Sequence, residues 1–526
     1  MTIARHPLRR RFGRPTAVVA GLSAAALALS GCLTAQIPVE GEGQSGTVLG
    51  AEPVLDGVPD ELLPFYDQQL EWTPCGGDFQ CSTVTAPLDW EHPDAGEIEL
   101  AVIRQTALSG RAQGSLLTNP GGPGGSGVSF IRENIAWSIG DALQESYDVI
   151  GWDPRGVGAS TAVRCFDADE MDAYLYDIPQ GERGSAEWEA ELEERAEAFA
   201  NACAENSDGL LEFITTEQSS RDLDLLRAVL GETELDYLGF SYGTFLGATY
   251  AENFPERVGR LVLDGAIDPS TSGEEVGVTQ AVGFENALRT YMEACVAGDT
   301  GAACPFAGSA DDAMNDLSAL LASVDARPLP YDDGRELGAD ALMTAIIAAL
   351  YNEANWMYLT EALAGALEGD PSTAFFLADF YNGRENGEYQ DNSTEAFNAY
   401  NCMDYPEDPE EAVEETERRI AEEAPTIAPY WSGASACEHW PYPPTGERGE
   451  ISASGAAPIL VVGTTGDPAT PYEWAEALAA QLESGVLLTY EGEGHTAYNG
   501  ASDCINDAVE AFLVDGTVPE DGLVCS

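Results

Sequence analysis

Two kinds of hydrophobic pattern alternate in the first half of the chain and again near its end. Apolar runs of strand length are followed by amphipathic runs of helix length, which is typical of a mostly parallel sheet with helices on both faces. The run 98–103 alternates apolar and polar residues, as an edge strand would. The other predicted strands are 114–118, 147–151, 235–238, 261–263, 457–463 and 485–490, and the predicted helices are 187–205, 222–230, 244–250 and 503–514.

The pattern changes between about 270 and 450. Strand signals are scarce there, and helical periodicity recurs at 311–323, 338–351, 355–380 and 410–423. A helical segment inside an alternating pattern of strands and helices predicts an insertion that covers the sheet as a cap. We therefore expect an α/β core formed by 65–269 and 451–526, with a helical cap formed by 270–450.

The first 31 residues are typical of an export signal. Five arginines precede an apolar stretch, 17–29, that is too short to span a bilayer. The signal ends in Leu29-Ser30-Gly31-Cys32, which resembles the bacterial lipobox, in which the cysteine is lipidated and becomes the new N-terminus. An ordinary signal with a fortuitous cysteine is the alternative. Residues 32–64 are rich in Gly, Pro and Glu, so we expect a flexible tether before a fold that starts near Phe65.

The charge balance is strongly acidic. The chain has 23 basic residues, all of them arginine, against 91 acidic ones, and 18 of the arginines lie after residue 31. Such a surface repels nucleic acid and anionic lipid headgroups, so we expect no nucleic-acid partner and membrane contact only through the lipid anchor. Two explanations stay open, adaptation to high salt and an acidic exported protein from a GC-rich genome. We expect the protein on the outer face of the cell membrane or secreted.

Cysteine usage fits an oxidising compartment. Eleven cysteines less Cys32 leave ten, and these fall in neighbouring pairs. Pairing in sequence order is one of about 945 connectivities. It predicts the disulfide bonds Cys75–Cys81, Cys165–Cys203, Cys295–Cys304, Cys402–Cys437 and Cys504–Cys525. Because no cysteine or histidine cluster has the spacing of a metal site, we expect neither a metal nor a cofactor.

The strongest chemical signal is the motif Gly239-Phe240-Ser241-Tyr242-Gly243, which lies between an apolar run and a helix-like run. Glycines on both sides of the serine let a sharp strand-to-helix turn close, and this turn exposes the serine hydroxyl at the end of a sheet. A free hydroxyl is a poor nucleophile near neutral pH. Ser241 therefore needs a base, an acid that orients the base, and donors for the oxyanion. A chance match in a chain with 55 glycines is the alternative.

The base and the acid follow by elimination. Of the four histidines, one lies in the signal and one precedes the serine, which leaves His439 in the cap and His495 in a glycine-rich loop after a strand. We predict His495, because a serine on this kind of turn is followed along the chain by its acid and then by its histidine. The acid should follow a strand before that histidine. Asp467 fits best, and Asp264 is its rival.

Several glycine-rich motifs follow the predicted strands. Together they resemble the secreted tripeptidyl aminopeptidases of actinobacteria, which are relatives of proline iminopeptidase. The resemblance runs from about residue 71 to residue 525 and is weakest in the cap, the part that sets specificity. The motifs are Asn119-Pro-Gly-Gly-Pro-Gly-Gly-Ser126, Asp153-Pro-Arg-Gly-Val-Gly158, Gly239-Phe-Ser-Tyr-Gly-Thr244, Leu263-Asp-Gly265, Gly466-Asp-Pro-Ala-Thr-Pro471 and Gly494-His-Thr496.

The resemblance implies an α/β-hydrolase fold with a large helical cap. It implies cleavage of short peptides, tripeptides among them, from a free N-terminus by a serine exopeptidase. A cell-envelope carboxylesterase or lipase with the same triad is the alternative, and the complete triad argues against a third hypothesis, a binding module with an inactive fold. The implied catalytic residues are Ser241, Asp467 and His495, and the implied oxyanion donors are Tyr242 and one glycine of the pair Gly121 and Gly122.

An aminopeptidase must bind the α-ammonium group of its substrate, because an unpaired charge in a partly desolvated cleft is costly. Glu274 and Glu275 lie at the start of the cap, shortly after the strand 261–263, and we predict that they bind this amine. In a chain with 91 acidic residues most such pairs are solvated surface, which is the alternative. Asp404 is the substitute. We expect a monomer that acts on peptides with a free N-terminus.

Lipidation is open to a direct test. We expect the mature chain to begin at a diacylated Cys32, because the lipobox and the even remainder of ten cysteines both set this residue apart. Intact-mass analysis of the membrane fraction measures the modification, and Cys32→Ser should release the protein from that fraction. A soluble product cleaved elsewhere, with Cys32 unmodified, contradicts the prediction.

Overall fold

A mixed sheet of eleven strands crosses the computed structural model, which describes residues 47–406, 408–431, 433–446 and 448–526. The order of its strands in space is β1-β2-β3-β4-β6-β5-β7-β8-β13-β14-β15, and β9 with β10 and β11 with β12 form separate hairpins. The strands are β1 (Val48–Leu49), β2 (Glu71–Pro74), β3 (Phe79–Pro87), β4 (Glu97–Gln105), β5 (Ser115–Asn119), β6 (Asp148–Trp152), β7 (Leu235–Phe240), β8 (Val258–Asp264), β9 (Leu329–Pro330), β10 (Glu336–Leu337), β11 (Arg384–Glu385), β12 (Glu388–Tyr389), β13 (Ile459–Gly466), β14 (Gly485–Glu493) and β15 (Leu523–Cys525).

The described part also contains the helices α1 (Leu63–Tyr66), α2 (Gly127–Ser138), α3 (Asp141–Ser146), α4 (Ala168–Tyr176), α5 (Ala186–Asn206), α6 (Thr216–Val229), α7 (Tyr242–Asn253), α8 (Gly273–Ala297), α9 (Ala310–Ala326), α10 (Ala339–Leu350), α11 (Trp356–Glu368), α12 (Ser372–Tyr381), α13 (Ser393–Asp404), α14 (Glu410–Glu423), α15 (Tyr472–Gln481) and α16 (Asp503–Asp515). None of them is long and apolar enough to cross a membrane.

The seven strands from β6 to β15 in this spatial order run parallel to one another. Successive strand residues point to opposite faces and enter different hydrophobic clusters. Leu117 and Tyr237 join a cluster that includes α6 and α7, whereas Leu116 and Leu238 join one that includes α2, α3 and α16. Helices therefore cover both faces, which confirms the predicted α/β-hydrolase fold class.

The chain reverses direction across the sheet at β5. It passes from β5 to β6 on one side and then to β7 on the other side of β5. In open sheets of this kind, ligands bind outside the carboxyl ends of the strands at such a switch point. The glycine-rich loop after β5 and Ser241 after β7 both lie at this crevice.

Between β8 and β13 the described chain is mostly helical. The helices α8 to α12 enclose a hydrophobic cluster of their own, which includes Leu288, Ile346 and Phe375. Helix α13 differs, because Ala396 and Tyr400 pack with the core cluster of α6 and α7 instead. We propose 270–450 as the cap, with α13 as the element that joins it to the core.

The segment before Phe65 is part of the fold from Val48 onward, contrary to the prediction. Val48 and Leu49 pair with β2, and the Val54 N–H donates to the Ala228 carbonyl oxygen at 3.0 Å. The tether predicted over 32–64 is therefore too long, since its second half, from Val48 onward, is bound to the core. Val58 and Leu62 also pack against the core, but two scattered apolar side chains leave no hydrophobic period from which the segment could be predicted. The predicted signal, 1–31, and Cys32 lie outside the described residues.

Two further elements differ from their predictions. Strand β4 is paired on both sides, with β3 and β6, so it is not an edge strand. Its alternation reflects one exposed and one buried face rather than an edge position. The helical run predicted over 355–380 is two helices, because Gly369 ends α11 in the left-handed conformation at φ 86° and Pro371 precedes α12.

Five disulfide bonds are present, and each joins two cysteines that are neighbours in the sequence order of the ten. Two of them, Cys402–Cys437 and Cys295–Cys304, lie in the proposed cap. Cys165–Cys203 ties the loop after β6 to α5, and the other two are Cys75–Cys81 and Cys504–Cys525.

A buried ion pair holds the loop after β6. Arg155 donates from Nε and Nη2 to the two carboxylate oxygens of Asp222 at 2.8 and 2.7 Å, and both side chains are fully buried. The same guanidinium donates to the carbonyl oxygens of Pro87 and Leu88, and the Trp90 indole donates to Asp222. Arg155 therefore ties β3, the β6 loop and α6 together.

Loss of this guanidinium should destabilise the fold. We expect Arg155→Met to lower the free energy of unfolding by about 3–5 kcal/mol, because it leaves a buried carboxylate without its partner. Denaturant unfolding measures the change. The control is Arg418→Met, which removes an exposed ion pair on α14 and should change unfolding little. Equal stability of the two variants contradicts the prediction.

Candidate active site

Ser241 occupies a strained turn between β7 and α7. Its backbone has φ 54° and ψ −124°, a conformation that a residue with a side chain rarely adopts. Three hydrogen bonds hold it. The Ser241 N–H donates to the Asp264 carbonyl oxygen at 2.9 Å, and the Ser241 carbonyl oxygen accepts from the Thr244 N–H at 2.8 Å and the Thr244 hydroxyl at 2.6 Å. This is the strand–turn–helix geometry that the Gly-x-Ser-x-Gly motif predicts.

The two glycines of the motif are required by close packing. A Cβ on Gly239 would lie 2.5 Å from the Gly243 carbonyl oxygen, and a Cβ on Gly243 would lie 2.8 Å from the Asn119 carbonyl oxygen. No real Cβ approaches a backbone oxygen so closely. The strand, the helix and the loop after β5 can therefore meet at Ser241 only because these positions carry no side chain.

The structure brings together His495 and Asp467, the predicted base and acid. His495 Nδ1 lies 2.9 Å from both carboxylate oxygens of Asp467. The pair lies close to the nucleophile, because a Cβ on Gly265, next to Asp264, would be 3.2 Å from His495 Cε1. His439, the other candidate base, instead contacts Glu193 through Nε2 at 2.7 Å.

Asp467 has other hydrogen-bond partners besides His495. It is buried, and it accepts hydrogen bonds from the N–H groups of Ala469 and Thr470 at 2.9 Å and from the Thr470 hydroxyl at 3.0 Å. These donors fix the carboxylate in the loop before α15. Asp467 therefore closes the turn that leads to the helix and orients the imidazole as well.

The pKa of His495 reflects two opposing effects. Burial disfavours the imidazolium and alone would lower the pKa, but the charge of Asp467 and its hydrogen bond outweigh this and raise the pKa above its usual value. The Asp264 carboxylate adds a smaller effect in the same direction. A raised pKa makes His495 a stronger proton acceptor, as a general base for a serine hydroxyl should be.

Asp264, the alternative candidate for the acid of the triad, has a different function. Its carboxylate accepts hydrogen bonds from the N–H groups of Ala497 and Tyr498 at 2.8–3.1 Å, and its carbonyl oxygen accepts from Ser241. Burial raises its pKa to about 6. Asp264 thus holds the nucleophile turn through its backbone and the histidine loop through its side chain.

The glycine-rich loop after β5 lies against the nucleophile turn. Gly121 has φ 95°, and a Cβ there would lie 2.5 Å from the Phe240 carbonyl oxygen and 3.1 Å from the Tyr242 nitrogen. The Gly121 N–H already donates to Asn119 Oδ1 at 2.9 Å. Of the predicted pair, Gly122 is therefore the better second oxyanion donor beside the Tyr242 N–H.

Two residues near the triad carried no signal in the sequence. The Thr470 hydroxyl lies 3.3 Å from His495 Nδ1 while it donates to Asp467. Tyr351 follows α10 in the proposed cap. Its carbonyl oxygen accepts a hydrogen bond from the backbone N–H of His495 at 2.8 Å, and its ring packs edge-on against the imidazole. Tyr351 is 144 residues away along the chain, so only the fold brings it to the site.

Residues 114–303 match the family model of the alpha/beta hydrolase fold, and residues 424–525 match that of the TAP-like protein. The chain is 30% identical to a tripeptidyl aminopeptidase of Streptomyces lividans over 87% of its own length and 86% of that protein. The chain belongs to the tripeptidyl aminopeptidase family of α/β-hydrolases. It is also 35% identical to serine protease Hip1 of Mycobacterium tuberculosis, over 98% of this chain and 99% of that protein. A carboxylesterase B of the same species is 35% identical over 85% of this chain and 86% of that protein.

This member of the tripeptidyl aminopeptidase family is an enzyme, a serine peptidase of the α/β-hydrolase type. Two of the three residues predicted to bind the substrate amine, Glu275 and Asp404, have other side-chain partners here. Glu275 forms an ion pair with Arg419 of α14 at 2.6 Å. Asp404 is buried, and its two oxygens accept from the N–H and the hydroxyl of Thr216 at 2.8 and 2.7 Å. Since the same hydroxyl lies 2.6 Å from the Tyr242 hydroxyl, Asp404 supports the residue after the nucleophile.

Glu274, the other predicted amine ligand of this aminopeptidase-family chain, lies in the first turn of α8. Its backbone N–H donates to Asp408 at 3.2 Å. Neither glutamate of the pair lines the cavity of about 430 Å³ beside His495. Aromatic rings and two carboxylates line that cavity: Phe130, Trp137, Phe240, Tyr351, Glu353 and Glu493.

The acid of the triad is open to a pH test. His495 must be neutral to accept the Ser241 proton, so kcat/KM should fall as pH drops through its raised pKa. We expect Asp467→Asn to shift this acid limb to lower pH, because the charge that raises the pKa is gone, and to reduce turnover about 10⁴-fold. A pH–rate profile on any accepted substrate measures both effects.

Asp264→Asn is the matched control for this experiment. It keeps the bond between Asp467 and His495, so the acid limb should move less than in Asp467→Asn. If Asp264→Asn moves the limb more and costs more turnover, the two acids have been assigned the wrong way round.

Proposed function

We propose that this enzyme is an exported serine exopeptidase that releases short peptides, in the main tripeptides, from free N-termini. The observation that carries the proposal is the bond between His495 Nδ1 and Asp467 beside the strained turn of Ser241. The tripeptidyl aminopeptidase name of a relative that matches 87% of the chain supports the substrate class. We further propose that a lipid on Cys32 anchors a monomeric enzyme to the outer face of the membrane.

The first half of the reaction forms an acyl-enzyme. Ser241 Oγ attacks the carbonyl carbon of the scissile bond while His495 Nε2 takes the hydroxyl proton. The carbonyl oxygen becomes an oxyanion, which the N–H groups of Tyr242 and Gly122 stabilise. Asp467 holds the imidazole with Nδ1 protonated and stabilises the imidazolium. The C–N bond then breaks as His495 gives its proton to the leaving amine.

The second half releases the peptide. Water replaces the leaving amine, His495 takes one of its protons, and the resulting hydroxide attacks the acyl carbon. The same two N–H groups stabilise the second oxyanion. When the ester bond to Ser241 breaks, the proton returns from His495 to Ser241 Oγ, and the peptide leaves with a new carboxylate.

A carboxylesterase is the second candidate. The triad can cleave esters by the same steps, and a relative 35% identical over 85% of the chain is named carboxylesterase B. The cavity beside His495 bears on the choice. Burial and the nearby Glu353 carboxylate both raise the pKa of Glu493, so this cavity favours a leaving group that carries a cation over an apolar alcohol. We therefore rank the peptidase first.

Ser241→Ala and one substrate panel test the proposal. The panel contains a tripeptide p-nitroanilide with a free amine, its N-acetyl form and p-nitrophenyl acetate. We expect the wild type to prefer the free tripeptide over the N-acetyl form. We expect Ser241→Ala to lose about 10⁶-fold in turnover on all three compounds, because the nucleophile is gone.

Folding of the variant is checked by its thermal transition, which should match the wild type, because the hydrogen bonds that hold the turn are made to the Ser241 backbone. A folded Ser241→Ala enzyme with near-normal turnover contradicts the triad. A wild type that hydrolyses only the acetate would favour the carboxylesterase.

A further inference from the structure

A cavity of about 840 Å³ lies beside Ser126, at the end of the glycine-rich loop. The first turn of α2, the loop after β6 and the first turn of α13 line it. Asn392, which precedes α13, closes the far wall, because its side-chain amide donates to the Gly156 and Val163 carbonyl oxygens at 2.8 Å. The cavity is large enough for a short peptide, since ligand pockets typically measure roughly 300–1,000 Å³.

Glu395 of α13 is the buried carboxylate of this cavity that lacks a partner on another residue. It is 9% exposed, and within the described chain only its own backbone N–H is within hydrogen-bonding reach. The other carboxylates of the wall are satisfied. Asp153 accepts from Ser126 at 2.6 Å and Asp391 from the Ser393 N–H at 3.0 Å, while Asp167 and Glu170 cap α4 reciprocally.

The surroundings of Glu395 favour a cationic ligand. Burial raises its pKa to about 7, and the nearby Asp391 carboxylate acts in the same direction. Two arginines, Arg132 and Arg164, also line the cavity, and the Arg164 charge lowers the pKa of Glu395. Within the described residues neither of them forms an ion pair with Glu395, and the Arg164 side chain is exposed. An unpaired carboxylate in such a place is stabilised when a cation binds, because the charge then has the partner that the protein does not supply.

The strand order sets the distance from Ser241 to this cavity. Ser241 follows β7, the oxyanion loop follows the adjacent β5, and the cavity lies at the loop after the next strand, β6. Two strand spacings amount to about 10 Å. Three residues of extended peptide also span about 10 Å. A tripeptidyl group bound to Ser241 can thus reach the cavity with its N-terminus.

The oxyanion loop touches the helix that carries Glu395. A Cβ on Gly124 would lie 2.7 Å from the Ser393 carbonyl oxygen and 3.1 Å from the Ala396 Cβ. Gly124 is two residues beyond Gly122, the proposed oxyanion donor, and Glu395 is two residues beyond Ser393. The first turn of α13 is therefore the next structure that a peptide meets after it crosses the oxyanion loop.

The direction of the substrate follows from the histidine. His495 must give its proton to the leaving amine, so the leaving group lies on the side of β13 and β14, from which Asp467 and His495 come. The released part then extends the other way, over β5 toward β6. Glu353 and Glu493, in the cavity beside His495, lie on the leaving side and cannot bind the N-terminus of the released peptide.

We propose that Glu395 binds the α-ammonium group of the substrate and that its separation from Ser241 limits the released peptide to three residues. The inference rests on the proposed exopeptidase function. It replaces Glu275 and Asp404, whose carboxylates have other partners, and Glu274, which lines neither this cavity nor the one beside His495.

Glu395→Gln tests the assignment, since it removes the charge and keeps the shape. We expect kcat/KM for the free-amine tripeptide p-nitroanilide to fall on the order of 100-fold, the range for loss of one partner of a buried charge pair. Hydrolysis of p-nitrophenyl acetate, which has no amine, should stay within about twofold. The wild type should cleave the tripeptide better than the matching dipeptide and tetrapeptide anilides.

Glu170→Gln is the matched control. It makes the same change of charge at the rim of the same cavity, but its side chain is exposed and a glutamine can still cap α4. We expect it to leave all substrates unchanged. A thermal transition for each variant separates loss of binding from loss of fold, and Glu395→Gln should unfold at or above the wild-type temperature because it removes a buried charge.

The outcomes separate this inference from the proposed function. If the wild type requires a free amine but Glu395→Gln keeps full activity on the tripeptide, Glu395 is not the ligand and the exopeptidase remains. If Glu395→Gln loses the acetate as well as the tripeptide, its effect is structural and the assignment fails. If the wild type cleaves the N-acetyl tripeptide equally well, the exopeptidase itself fails.

Discussion

The site depends on one residue that takes no part in the chemistry. Asp264, at the end of β8, accepts the Ser241 N–H on its carbonyl oxygen and holds the histidine loop with its carboxylate. The first bond supports a turn whose strain costs on the order of 1–3 kcal/mol. The second sets the loop from which His495 reaches Asp467. Because Asp264 makes both contacts, the end of a single strand fixes the separation between the nucleophile and the base. It holds the histidine loop through a buried carboxylate.

Much of the core could be predicted because parallel strands that are covered on both faces leave continuous apolar runs. The triad could be predicted because its motif encodes a turn that only glycines permit. Helix α8 had no such signal, since glycines within it lower its helix propensity. One of these, Gly283, is explained only by the fold: a Cβ there would lie 2.6 Å from the Pro468 carbonyl oxygen. Gly283 therefore weakens the helix signal in the sequence and also lets α8 approach the Asp467 loop.

The substrate-binding residues were the least predictable part. Glutamates at the start of the cap were sensible candidates by position, but Arg419 comes from α14, 144 residues beyond Glu275, and pairs with it. In a chain with 91 acidic residues, composition says little about which carboxylate is free. A free carboxylate differs from a bound one in its hydrogen-bond or ion-pair partners, and those partners come from distant parts of the chain. Thr216 satisfies Asp404 across 188 residues, whereas Glu395 is buried with only its own backbone N–H.

The core and the proposed cap hold different catalytic groups. The core holds the nucleophile and the oxyanion loop through β5, β7 and Asp264. The proposed cap supports the acid and the base. Gln280 of α8 donates to the Ala469 carbonyl oxygen at 2.8 Å in the Asp467 loop. The Tyr351 carbonyl oxygen accepts a hydrogen bond from the backbone N–H of His495. A displacement of the cap would thus disturb the base and its acid while the Ser241 turn stays intact. The proposed cap would therefore affect turnover through the base and its acid.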